Sequence, residues 1–272
     1  DTTARTLTIQ GNGNTAIAGN VTATGANHVL TKGGTGLLSI AGTASTFLGN
    51  TNITGGAIQV TDFRSINNNT AAISLGNATT TGGNLIIGGT GVGTPTAAGL
   101  TTSKTITLNT TSASNSIYAN QTGTNPVILN GAITKIAAAT TGNLILGGTN
   151  TTDNIVNVAV PVETTPSTGG LVKLGTGTWV LNAANTYAGS TQIQAGTLKL
   201  RATAGASDVI KEAASNTIVF TNDGVTQTAG GTMEYSARHR VSGDSPVPMH
   251  RAPPPSVPLW TAFEAEAMPH VD

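Results

Sequence analysis

A pattern of about thirty residues, written twice, constrains this chain more than any other feature. The first copy occupies residues 30–60, LTKGGTGLLSIAGTASTFLGNTNITGGAIQV, and the second residues 171–200, LVKLGTGTWVLNAANTYAGSTQIQAGTLKL. With a one-residue gap near Ala44, Lys32 aligns with Lys173, Gly34 with Gly175 and Gly36 with Gly177. Phe47 then aligns with Tyr187, Gly49 with Gly189, Thr51 with Thr191, Ile53 with Ile193 and Gly56 with Gly196. Glycines and alternating apolar residues dominate the matches, so what recurs is a fold unit and not a set of reactive groups. A repeat of this length points to a repetitive β architecture.

Short alternating runs fill the rest of the chain, each ended by Gly, Asn or Thr-Gly. Thr6–Ile9, residues 72–75, residues 105–108 and residues 197–200 are examples. A period of two places Leu198 and Leu200 on one face of a strand and Lys199 on the other. A shorter echo relates GNLIIGGT at residues 83–90 to GNLILGGT at residues 142–149, a spacing that fits two or three coils of a solenoid. Two all-β folds compete. Hairpins favour Asn-Gly or Asp-Gly turns, and Asn130-Gly131 and Asp223-Gly224 qualify. Most breaks lack that chemistry, and a thin aliphatic core of Ile, Leu and Val is buried more readily by stacking coil on coil. The expected fold is a parallel β-helix with glycines at its corners and outward Thr and Asn in ladders.

Composition narrows the function classes. Twelve basic and twelve acidic residues cancel, and charged residues make up only 9% of the 272. A neutral chain has no electrostatic footprint for nucleic acid or anionic lipid. No apolar run reaches the roughly 18–20 residues of a membrane-spanning helix. The absence of cysteine suits a chain exported unfolded. Beginning at Asp1 without a methionine, the chain reads as a piece of a longer precursor.

Two segments depart from the pattern. Residues 206–214, ASDVIKEAA, contain good helix formers and could form one helical turn outside a coil. From Arg238 onward the composition changes abruptly: seven of the eleven prolines and three of the four histidines lie there, and Asn and Ile vanish. We therefore divide the chain into a β-helical part, residues 1–237, and a poorly ordered Pro-rich tail, residues 238–272. The tail is either a linker to a further domain or a coding discontinuity such as a frameshift.

The two long copies resemble the passenger-associated repeat of autotransporters, whose pattern is close to Lys-x-Gly-x-Gly-x-Leu-x-Leu, Asn-Thr-Tyr-x-Gly-x-Thr-x-Ile and Gly-Thr-Leu. Here the residues are Lys173, Gly175, Gly177, Trp179 and Leu181, then Asn185-Thr186-Tyr187 to Ile193, then Gly196-Thr197-Leu198. The first copy is eroded, with Ser45-Thr46-Phe47 in place of Asn-Thr-Tyr. The resemblance implies a right-handed parallel β-helix on a bacterial surface, an adhesin or surface antigen in the outer membrane or secreted. It implies export through a C-terminal outer-membrane β-barrel, which residues 238–272 do not supply. It also implies as partners that barrel and a host-cell receptor or extracellular matrix, with no insertion of this fragment into a membrane.

A search for chemistry assigns no catalytic, cofactor or metal residue. Asp208 and Glu212 share a coil, but acids at i and i+4 on a helical turn form a solvated face. His28 stands alone in the repeat region, and His239, His250 and His270 lack metal-ligand spacing. Gly243-Asp244-Ser245 lacks a strand-to-helix elbow, and Gly88–Gly93 is followed by Thr94-Pro95 instead of the helix a phosphate loop requires. The Asn-x-Thr triplets at Asn20, Asn52, Asn68, Asn109, Asn120 and Asn150 are what a Thr/Asn-rich chain produces by chance. The chain is expected to be non-enzymatic. A β-helical polysaccharide lyase or glycosidase is the alternative, and a carboxylate pair on adjacent coils would favour it. A Thr-ladder ice-binding solenoid is a third reading, which register-matched Thr-x-Thr arrays would favour.

Overall fold

The computed structural model describes residues 3–23, 27–66, 71–135, 141–161, 169–201, 209–210, 217–220 and 232–236. These belong to the first of two units, Asp1–Arg238. The Pro-rich tail, and the 206–214 segment apart from Val209 and Ile210, lie outside the described residues.

Every strand pairing among the described residues is parallel, and consecutive strands fall in different sheets, so the chain winds as a solenoid. The first sheet stacks Thr6–Ile9, Val29–Lys32, Thr51–Ile53, Ile73–Leu75, Ile106–Leu108 and Ile133–Lys135. The second begins with Thr15–Ile17, Leu37–Ile40, Ala57–Val60 and Asn84–Ile87. It continues through Asn115–Ala119, Leu144–Gly148, Leu171–Lys173 and Thr191–Ile193 to Ile218–Phe220. The third runs from Thr101–Thr102 through Ile128–Leu129, Asn154–Val156, Thr178–Leu181 and Thr197–Arg201 to Thr232–Ser236. Among the described residues no strand pair is antiparallel, so the tight reversals of a β-sandwich do not occur there.

Alternation makes each coil amphipathic. In Thr51–Ile53 and Ile106–Leu108 the outer two residues are buried and the middle one is partly exposed. Stacked inward positions form aliphatic columns, such as Leu38, Ile58, Leu85, Ile117 and Leu146 in the second sheet, all fully buried. Each such side chain contributes about 1.5–3 kcal/mol when removed from water. The shorter echo is accounted for by this column: Leu85 and Leu146 are two coils apart with Ile117 between them. Sequence similarity alone aligns Leu85 with Leu144, two residues away, a slip that preserves the face because the strand period is two.

The two long copies do not sit on the same faces. The first alternates between the first and second sheets, the second between the second and third. Within each copy the pairing is the same: Lys32 registers with Ile53 and Leu38 with Ile58, as Lys173 does with Ile193 and Trp179 with Leu198. The unit therefore specifies a corner and two strand pairs, and its face is set by the coils before it. The change of face takes place in the middle coils. There the third sheet opens at Thr101–Thr102, and the first runs on to Ile133–Lys135. A latch precedes the opening: buried Asp62 caps the 3-10 turn Phe63–Ser65 and pairs with Arg64 (2.7 Å), which donates to Thr96 Oγ1 (2.8 Å). Thr96 in turn caps the 3-10 turn Ala97–Leu100 that leads into the new sheet.

Candidate functional site in the repeat corners

The first strand of each copy ends in a lysine on the same face as a buried leucine two residues earlier, and both lysines are buried. Lys173 Nζ donates to the carbonyls of Leu174 (3.0 Å), Gly175 (2.7 Å) and Ala195 (3.0 Å). Lys32 Nζ donates to those of Gly33 (2.6 Å) and Gly34 (3.2 Å). Among the described residues no carboxylate pairs with either. Desolvation lowers the pKa of both amines, that of Lys173 to about 8. The cage is formed by the glycine corner. Gly56 and Gly196, at φ +62° and +69°, hold the left-handed turn that starts the next strand, and a Cβ on Gly196 would strike the carbonyls of Gly175 and Gly177.

The loop between the strand pairs is tied across three coils by one side chain. In the second copy, Asn185 Oδ1 accepts from Val160 N–H (2.8 Å), and its Nδ2 donates to the carbonyls of Ala183 (2.9 Å) and Val209 (2.6 Å). In the first copy the aligned Ser45 does the same with one hydroxyl, accepting from Val21 N–H (3.0 Å) and donating to Ser65 C=O (2.7 Å). The aromatic two residues on is buried in both copies. Tyr187 hydrogen-bonds Thr191 Oγ1 (2.7 Å), and where Phe47 lacks the hydroxyl, Thr51 Oγ1 donates to Ile66 C=O instead (3.0 Å). Trp179 is fully buried and donates from Nε1 to Gly147 C=O (2.8 Å).

The outer surface carries polar ladders. Thr8, Thr31, Asn52, Ser74, Thr107 and Thr134 form one column along the first sheet, with Thr107 and Thr134 in direct contact (3.1 Å). A second Thr column beside it does not form, because Thr6 registers with Val29. Asn182 donates to Asn157, and Asn157 to Asn130, at 2.8 Å each. Lys199 points outward between buried Leu198 and Leu200, as alternation predicts, and meets Asp153 (3.1 Å), which also pairs with Arg201. Burial pushes the Asp153 carboxyl up, but these two cations outweigh it and hold the carboxyl below its ordinary value.

Asp208, Glu212, His239, His250, His270 and Gly243–Ser245 lie outside the described residues. His28 sits before the Val29–Lys32 strand, where its Nδ1 accepts from Arg5 N–H (3.2 Å). Gly88–Gly93 is bound within the molecule: Gln59 Nε2 donates to the carbonyls of Gly88 (3.0 Å) and Thr90 (2.9 Å), and Gly93 N–H donates to Thr61 (2.9 Å). Among the described residues no three His, Asp or Glu side chains gather as metal ligands do. Asp62 and Asp153 are each held by cations rather than by one another. Sequence reasoning passed over the buried lysines and the bridging Asn185 and Ser45. The lysines were within reach, because the rule that turns Lys199 outward turns Lys32 and Lys173 inward.

No curated protein and no solved structure matches this chain. Residues 30–60 and 171–200, the two copies built above, each match the family model described as the passenger-associated-transport-repeat, a match consistent with autotransporter passenger repeats.

Proposed function

We propose that this chain is part of the passenger of a bacterial autotransporter, a non-enzymatic structural or adhesive rod. It is exported through an outer-membrane β-barrel outside this sequence and then held at the cell surface or released. The observation that carries the reading is the coincidence of the family match with paired coils at residues 30–60 and 171–200. A solenoid suits this route, since each coil is stabilised by the one before it and folding can proceed as the chain emerges. Binding to a host-cell receptor or extracellular matrix would use the outer ladders and the loops rather than a pocket. The test is to treat intact bacteria expressing the precursor with protease and probe with antibody to this chain. Cleavage or release without lysis is expected, and an epitope reached only after lysis would overturn the reading. Binding of the purified chain to host cells and matrix proteins addresses adhesion. Release of reducing ends from polysaccharides would favour the lyase or glycosidase alternative.

A further inference from the structure

One acceptor in the middle of the stack has no donor. Gln121 follows the strand Asn115–Ala119, at the corner where the chain leaves the second sheet for the third, and it is only 2% exposed. Its Nε2 donates to Asn125 C=O (3.2 Å) and to Asn154 Oδ1 (3.1 Å). Among the buried side-chain nitrogen and oxygen atoms of the described residues, Gln121 Oε1 alone lacks a hydrogen-bond partner. Turning the amide over does not help, because the oxygen would then face two acceptors. Asn154 Oδ1 is itself fixed as an acceptor by Val127 N–H (2.9 Å).

The neighbouring amides have no donor to spare. Asn150 Nδ2 donates to the carbonyls of Gln121 (2.9 Å) and Gly123 (3.2 Å). Asn154 Nδ2 donates to the carbonyl of Thr178 (2.8 Å), the residue that opens the second strand of the second copy. Three successive coils are joined in this way, with the side-chain N–H groups engaged and one oxygen left over. A buried acceptor of this kind calls for a donor from outside the chain. A hard cation would need several bare oxygens. Here Asn150 Oδ1 is already filled by Thr152 N–H (3.1 Å), the Thr152 hydroxyl and Asn154 Nδ2 (3.2 Å), and the adjacent Asp153 is held by Lys199 and Arg201. Water brings two donors and takes two to four partners. The carbonyls of Gln121 and Gly123, each accepting from Asn150, keep a lone pair for it. Residues 122–125, next along the chain, are all exposed and give water a way in.

We propose that one ordered water is bound at this corner, donating to Gln121 Oε1 and tying the exposed turn 122–125 to the amide network that reaches the second copy. The test is a crystal structure of the 272-residue chain at a resolution that shows ordered waters, with water magnetic relaxation dispersion on the wild type and on Gln121→Met. The variant keeps the length of the side chain and removes the acceptor. Density for a water is expected about 2.7–3.2 Å from Gln121 Oε1. The wild type should hold one more long-lived water than the variant. If Gln121→Met does not fold, the wild-type density decides alone. A dry Oε1, an Oε1 bonded to a donor of the chain, or equal numbers of long-lived waters in the two proteins would each overturn the proposal. So would a metal ion at that position, seen as a thermal midpoint that responds to calcium or potassium in the wild type and not in the variant.

Discussion

Lys173 is a charge placed where the columns call for an aliphatic residue, in register between Leu146 and Ile193. Three carbonyls satisfy its protons, but desolvation still brings its pKa from 10.5 to about 8. The folded state therefore releases this proton near pH 8 and the unfolded state near 10.5, so between those values the unfolded chain binds more protons and stability rises with pH. At about 1.4 kcal/mol per pKa unit the rise is on the order of 3 kcal/mol. Tyr187 acts oppositely: burial raises its pKa to about 12, against the pull of its bond to Thr191, so stability falls from about pH 10 upward. Urea midpoints should thus climb from pH 8 to about 10 and then decline. Lys104, also lowered to about 8 by burial, contributes to the climb in every variant that retains it. The difference between wild type and Lys173→Met isolates Lys173: the variant should lose part of the climb and keep the decline. Parallel profiles would mean that the amine does not titrate in this window.

At the scale of the repeat, two different side chains perform one task. Asn185 and Ser45 each satisfy a donor on the coil before and an acceptor on the coil after. Ser45→Ala leaves both groups buried without that partner, which costs about 1–3 kcal/mol. Asn185→Ala should cost at least as much, as a shift in denaturant midpoint at constant slope. The aromatic position is more forgiving to chemistry than to volume. Tyr187→Phe reproduces what the first copy already has and should cost only about 0.5–1.5 kcal/mol, whereas Tyr187→Ala opens a cavity worth about 3–5. Here the sequence was only partly legible. Period-two alternation located the strands, the outward Lys199 and the corner glycines, because those follow from local geometry. The bridging role of Asn185 was not legible, because its partners Val160 and Val209 are supplied by other coils. Thr101–Thr102 and Ile128–Leu129, at two residues each, are too short to show a period, so the third sheet went unseen along with the shift of the second copy by one face.

Across the whole stack, stability is close to a sum over neighbouring coils, so protection should depend on position along it. A middle coil such as Asn115–Ala119 has paired strands on both sides, with buried Ile117 between buried Leu85 and Leu146. Among the described residues the first coil has a neighbour on one side only, and Leu7 is exposed. Amide hydrogen exchange should be slowest over residues 84–87, 115–119 and 144–148 and fastest, among the strands with described side chains, over 6–9 and 15–17. The bonds from Val29 N–H to Arg5 and from Gly33 N–H to Ile9 limit how far fraying can spread inward. A flat profile, with the first coil as protected as the middle ones, would mean that the stack opens as one cooperative unit rather than coil by coil.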